Sequence, residues 1–281
     1  MTIRWIESLV LCLLLIAFGA NAAAQQIETS EGDRLDLSED REPLDHPVRS
    51  SSDAEELRNA ASEIVRRTNE FRAKHNLSEL QTNSRLRATA DDFARYMART
   101  NRYGHQADDQ RPAERVKNHD YEYCQVAENI GYYYNSQGVS ATELAEQFMT
   151  GWIESEGHRE NLLQESVSEI GVAVAQDEKT NYYFAVQLFA LPRSAAVEFK
   201  VSNRSGEEVE YTVTRDARQR SFTLPPRAVM THLRCLPPEV RLQGEDSQPS
   251  RPGAGAHLVI TRQGGQLSLK MRDDEAAGAA P

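Results

Sequence analysis

Two adjoining runs, residues 168–176 and 181–190, are rich in β-branched and aromatic residues and are joined by the short polar tetrapeptide DEKT. Together they read as a β-hairpin. Amphipathic helices surround it in sequence. Residues 53–76 place Leu57, Ile64, Thr68 and Phe71 on one stripe, flanked by Glu55, Glu56, Arg66, Arg67 and Lys74, with Ser52 or Asp53 as the cap. Residues 83–100 repeat the pattern with Leu86, Ala90, Phe93, Ala94 and Met97. A third helix begins at the Ser140-x-x-Glu143 capping box and runs to about Ile153, presenting Leu144, Phe148 and Trp152. Gly157 is expected to break it, and a short helix carrying His158, Leu162 and Leu163 follows. Helices on both sides of a short antiparallel sheet predict an α+β fold, a three-layer α-β-α sandwich.

Two stretches differ in texture. Residues 106–125 are polar, contain Pro112 and hold no sustained period, which predicts a long loop or short helical turns carrying Val116 inward. After Pro192, strand-like runs at 197–201, 209–213, 222–224, 229–233, 240–242, 257–261 and 267–271 are separated by turn signals such as NRSG and QGG. They predict a small all-β unit over 193–272, either sandwich or barrel, with a low-complexity loop at 244–256. Residues 273–281 read as a disordered tail.

The first 24 residues have the make-up of a secretory signal peptide. Arg4 supplies the positive charge, residues 9–18 the apolar core and Ala22-Ala23-Ala24 the small-residue cleavage site. The apolar run is short for a membrane span, so no transmembrane segment is expected after cleavage. Removal of the leader takes Cys12 with it and leaves Cys124 and Cys235 in an oxidising compartment, secreted or periplasmic. They either form one bridge or stay separate buried thiols. A bridge would close a loop of about 110 residues, worth roughly 4–5 kcal/mol on the chain-entropy model. The formal net charge of −11 argues against a nucleic-acid partner. Part of the excess lies in residues 25–52, where Glu28, Glu31, Asp33, Asp36, Glu39, Asp40, Glu42 and Asp45 have few apolar neighbours. Such a segment predicts a disordered acidic linker.

Three segments carry a family resemblance: RYGHQ at 102–106, AENIGYYY at 127–134 and TGWIESEGHRENLLQESVSEIGVAVA at 150–175. An HR-x-N-[IL]-L helix followed at a fixed interval by an E-I-G-V strand resembles bacterial secreted members of the CAP superfamily, also called SCP domains. Here His158 precedes Ile170 by twelve residues. The resemblance covers about residues 64–191 and places the CAP domain within 53–192. It implies the same three-layer architecture, and a cavity lined by two histidines and two glutamates: His105, Glu128, His158 and an acid after Trp152, either Glu154 or Glu156. It also implies a divalent metal, often zinc, on His105 and His158.

Neutral imidazoles ligate zinc at about 2.0–2.1 Å, with carboxylates as further ligands or as groups that fix the ring tautomers. Two histidines alone leave the ion under-coordinated, which favours weak, exchangeable binding. The leading expectation is therefore a non-catalytic binding module for a lipid-like small ligand, a divalent metal or an extracytoplasmic protein. The rival is a zinc-dependent hydrolase with Glu128 or Glu154 as general base. A structural envelope protein is a third reading. Asn129, Arg159, Asn161 and Gln187 read as scaffold, and Tyr132, Tyr133 and Tyr134 as alternating strand residues rather than a carbohydrate platform.

Overall fold

The computed structural model describes residues 25–26, 35–36, 51–177, 179–215, 218–244 and 248–272. The expected signal peptide, most of the acidic linker and the C-terminal tail lie outside these residues. Within the linker span, β1 (Gln25–Gln26) and β2 (Leu35–Asp36) are paired strands. This departs from a wholly disordered tether, because a free strand edge accepts backbone partners whatever the side-chain charge.

The first unit comprises α1 (Ser51–Lys74), β3 (Gln81–Thr82), α2 (Ser84–Thr100), β4 (Arg102–Tyr103), α3 (Pro112–Asn118), β5 (Tyr123–Tyr134), α4 (Ala141–Glu154), α5 (Glu156–Leu162), β6 (Glu169–Gln176) and β7 (Tyr182–Pro192). Its five-stranded sheet has the order β1-β5-β7-β6-β3. β7 pairs antiparallel with β5 and with β6, β1 and β3 run parallel to their neighbours, and β2 pairs separately with β4. Alternation along β6 assigns Ile170, Val172 and Val174 to a core shared with α1 and α4, and Ala173 and Ala175 to a core shared with α2. Both faces are covered, which is why these strands read as nearly continuous apolar runs.

Local chemistry sets the helix ends. Asn83 caps α2 by accepting from the Arg85 and Leu86 amides, and Asn101 closes it in the left-handed region. The Ser140–Glu143 capping box forms as expected. The expected break at Gly157 falls instead at Ser155, whose extended backbone ends α4 and begins α5, so Gly157 lies inside α5. The polar stretch folds in part into α3, with Pro112 in its first turn and Val116 buried. At Gly171 a Cβ would stand 2.2 Å from the Leu86 carbonyl carbon, so only glycine lets α2 lie this close to the sheet.

The second unit holds β8 (Val197–Asn203), β9 (Val209–Arg215), β10 (Arg218–Leu224), β11 (Val229–Arg234), β12 (Glu239–Leu242), β13 (His257–Gln263) and β14 (Gln266–Met271). A three-stranded sheet, β10-β9-β12, faces a four-stranded sheet, β11-β8-β13-β14, over one core that includes Phe199, Val201, Tyr211, Val213, Val240 and Ile260. It is a sandwich. At its centre the Tyr211 hydroxyl bonds His232 Nε2 at 2.6 Å, between the rings of Phe199 and Phe222. Burial, with Arg234 nearby, pushes the His232 imidazole down to about 4. The units have separate cores and are joined by a short 3-10 turn at Arg193–Ala195 and by the Cys124–Cys235 disulfide, whose Cα atoms are 5.2 Å apart.

Two expectations follow from this arrangement. Thiol labelling under denaturing conditions should find Cys124 and Cys235 unreactive until reductant is added, and reduction should open residues 193–196 to protease. Full labelling without reductant would contradict the bridge. His232 stays neutral when folded but binds a proton near pH 6.5 when unfolded, so its contribution is complete above that pH and is lost as pH falls towards about 4. Urea melts of the parent should therefore weaken across this window more than melts of His232→Leu, and parallel loss in both proteins would exclude the effect.

Candidate functional site

β5 carries the site because its successive side chains serve opposite faces of the sheet. Val126 and Ile130 belong to the core on the α2 side and Ala127 to the core on the α1–α4 side, which puts Glu128 towards α2 and α3 and Asn129 towards α1. Glu128 is 3% exposed. Its carboxylate accepts from Arg115 Nη2 at 2.9 and 2.8 Å through both oxygens, and from His105 Nδ1 at 2.8 Å. Burial alone would raise the Glu128 carboxyl. The Arg115 charge and the His105 bond outweigh it, and the carboxyl is held below its ordinary range.

Arg115 is itself tightly placed. Nη1 donates to Asp108 Oδ1 and to the Gln110 carbonyl, both at 2.8 Å, and Nη2 to the His105 carbonyl at 3.0 Å. The guanidinium lies 3.5 Å from the centroid of the Phe93 ring. The α3 region is thereby fastened to β5, and His105 is held by both its side chain and its carbonyl.

His158, on α5, approaches from the end of α4. Its Nδ1 is 2.8 Å from Ser155 Oγ. Burial, and then the nearby His105, push its pKa below the ordinary histidine value, which keeps the ring neutral at pH 7. A buried polar chain positions α5. Asn161 Nδ2 donates to Asn129 Oδ1 at 2.9 Å and to the Glu128 carbonyl at 3.2 Å, and Asn129 Nδ2 to Gln187 Oε1 at 3.0 Å and to the His158 carbonyl at 3.2 Å. Gln187 Nε2 in turn donates to Thr68 Oγ1 on α1 at 2.7 Å. The scaffold reading of Asn129, Asn161 and Gln187 matches these bonds. Arg159 donates to the Ile153 carbonyl at 2.9 Å.

His105, Glu128 and His158 are thus brought together, whereas Glu154 and Glu156 are exposed at the α4–α5 junction. Among the described residues neither joins the bonds around Glu128. Sequence reading missed Arg115, Asp108 and Ser155. Ser155 was visible in principle, since a serine three residues before a histidine in a helical turn is a ready side-chain partner.

The donor set defines what metal it suits. Each imidazole is held through Nδ1, His105 by a carboxylate and His158 by a hydroxyl, which leaves Nε2 of each as the nitrogen for a ligand. Such outer partners orient metal-binding histidines. Among the described residues no group of three or more His, Cys, Asp or Glu side chains forms a metal cluster. Two imidazoles with no third protein donor among the described residues do not fit a closed structural site, and an ion held by them would take its remaining donors from outside the chain.

The family model of the CAP, or cysteine-rich secretory protein, family matches residues 65–189. Similar solved structures include an extracellular protein containing an SCP domain from Bacillus anthracis, 24% identical over 52% of this chain and 45% of that one, with a TM-score of 0.43. An outer surface protein from Borrelia burgdorferi is 20% identical over 53% of this chain and 99% of its own, with a TM-score of 0.41. A cysteine-rich secretory protein from Staphylococcus aureus is 23% identical over 52% and 42%, with a TM-score of 0.38. This chain thus spans less than half the length of the Bacillus and Staphylococcus proteins. No curated protein matches the sequence.

Arg115→Met should strand the Glu128 charge in the interior and cost roughly 3–5 kcal/mol in urea unfolding. The double variant Arg115→Met/Glu128→Gln should recover part of that loss, because no unpaired charge remains. Additive losses would show that the pair is not coupled.

Proposed function

Because residues 65–189 form a CAP domain, we propose that this chain acts outside the cytoplasm as a non-catalytic binding module whose cleft offers His105 and His158 to a divalent metal, with zinc the best match. The observation that carries the reading is the matched anchoring of the two rings: Glu128 and Ser155 each hold an Nδ1, so both Nε2 atoms remain for a ligand. The ionised Glu128 holds the proton on His105 Nδ1, which leaves the lone pair on Nε2. The low His158 pKa likewise favours the neutral, ligating form. A bound zinc ion would supply Lewis acidity and open positions for a small ligand or a partner's donor atom. Export is supported by the leader-like first 24 residues and by the disulfide. No helix among the described residues is long and apolar enough to cross a membrane.

The hydrolase reading requires a base beside the metal-bound water. Glu128 serves it poorly, since Arg115 engages both of its oxygens and disfavours the protonated form that a base must pass through. Glu154 is exposed at the end of α4.

Calorimetric titration of the tag-free protein with zinc should show one site of modest affinity, absent in His105→Ala and absent again in His158→Ala, with both variants folded. Zinc binding by either variant at the parent's affinity would overturn the shared site. Turnover of a peptide, ester or phosphodiester by the zinc-loaded protein, lost in Glu154→Gln, would favour the hydrolase.

A further inference from the structure

The opposite edge of the same sheet has chemistry that the cleft does not use. β6 pairs with β7 along its whole length, but on its other side β3 covers only Glu169 and Ile170. The bonds Asp177 N–H to Tyr182 O and Asn83 N–H to Ile170 O fix the alternation. Odd-numbered residues turn their backbone groups to β7 and even-numbered ones turn them outwards. Among the described residues the amides and carbonyls of Val172 and Val174 therefore face no strand. Along them runs a groove of about 1380 Å³, with α1 as one wall and α2 as the other.

The walls differ in character. α1 contributes mainly small and apolar residues, Ala54, Leu57, Ala61 and Val65, with Arg58 its one charge. α2 contributes Arg87, Arg95 and Arg99 against a single acid, Asp91. Asp91 pairs with Arg95 at 2.9 Å, and among the described residues Arg87 and Arg99 meet no carboxylate. Five cations against two carboxylates line the groove once Lys179 and Asp177 are included, on a chain whose formal net charge is −11. This local reversal of sign points to an acidic occupant.

We propose that the β6 edge is a strand-addition site for an extracytoplasmic partner protein that presents an extended segment of alternating apolar and acidic residues. An added strand sends successive side chains to opposite faces of the sheet, so one set meets the apolar α1 wall and the other the arginines of α2. Main-chain bonds to Val172 and Val174 supply affinity and the two walls supply specificity. A second copy does not fit, because each copy's β6 edge is recessed between its own helices. The site lies one strand beyond β7 from the Glu128 cleft and does not depend on its metal.

The test uses the full mature chain and a fluorescent octapeptide of alternating valine and glutamate. In anisotropy titrations it should bind at least about tenfold more tightly than a block peptide of the same composition or an alternating valine–lysine peptide, a gap of about 1.4 kcal/mol. N-methylation of every second residue should abolish binding in one register and spare it in the other. Arg87→Glu/Arg99→Glu, exposed positions whose change should leave folding and zinc titration intact, should weaken binding at least about tenfold. Amide exchange at Val172 and Val174 should slow in the complex. Equal affinity for the block peptide, or indifference to N-methylation in both registers, would overturn strand addition in favour of an amphiphile groove. Binding that appears only when residues 25–50 are deleted would assign the groove to the chain's own acidic segment and overturn the partner.

Discussion

The buried ion pair between Arg115 and Glu128 is the interaction on which the site depends. A carboxylate at 3% exposure is tolerated only with a charged partner. Arg115 meets that need through both carboxylate oxygens while gripping Asp108, Gln110 and the His105 carbonyl. One guanidinium therefore fixes the course of the chain from Gly104 to α3 and the tautomer of His105. Its Nε has no hydrogen-bond partner among the described residues and packs over Phe93 with the rest of the planar group, so this positioning leaves one donor unmet.

The second histidine is placed mainly by neutral groups. Thr68, Gln187, Asn129 and Asn161 form a chain of amides and a hydroxyl that runs from α1 over β7 and β5 to α5, and each member is buried. Arg72 secures the far end of α5, donating to the Leu162 and Gln164 carbonyls at 2.9 Å. A helix of seven residues has little intrinsic stability, so these bonds define where His158 stands. The two rings are placed by different physics: one by a compensated buried ion pair, the other by a mainly neutral hydrogen-bond network.

Much of this could be read from the residues. The helical stripes of α1, α2 and α4, the capping box at Ser140 and the hairpin at 168–190 are local patterns, and local patterns survive folding. The interval from His158 to Ile170 carried the family resemblance, whereas the packing of α5 on α4 and β5 did not show in it. What stayed hidden depends on distant partners. Arg115 lies in a stretch with no period, and its partner Glu128 is on another element. The α4–α5 break looked like the work of Gly157 because glycine weakens helices, yet Ser155 terminates one helix and opens the next. Choosing a sandwich over a barrel required knowing that β8 pairs with both β11 and β13, which no strand pattern discloses. The open edge of β6 follows from the brevity of β3, a dipeptide that carries no strand signal.

The disulfide also sets how force passes through the molecule. Cys235 directly follows β11, and Cys124 is the second residue of β5. A pull on the chain beyond the second unit is carried across the sulfur atoms directly to β5, and the residues between 125 and 234 are shielded from it. β5 is also the strand from which Glu128 and Asn129 project. Because Glu128 and Asn129 lie inside the loop that the disulfide closes, tension entering beyond Cys235 leaves through Cys124 towards the N-terminus, and the bridge keeps load off the part of β5 that supports the two histidines.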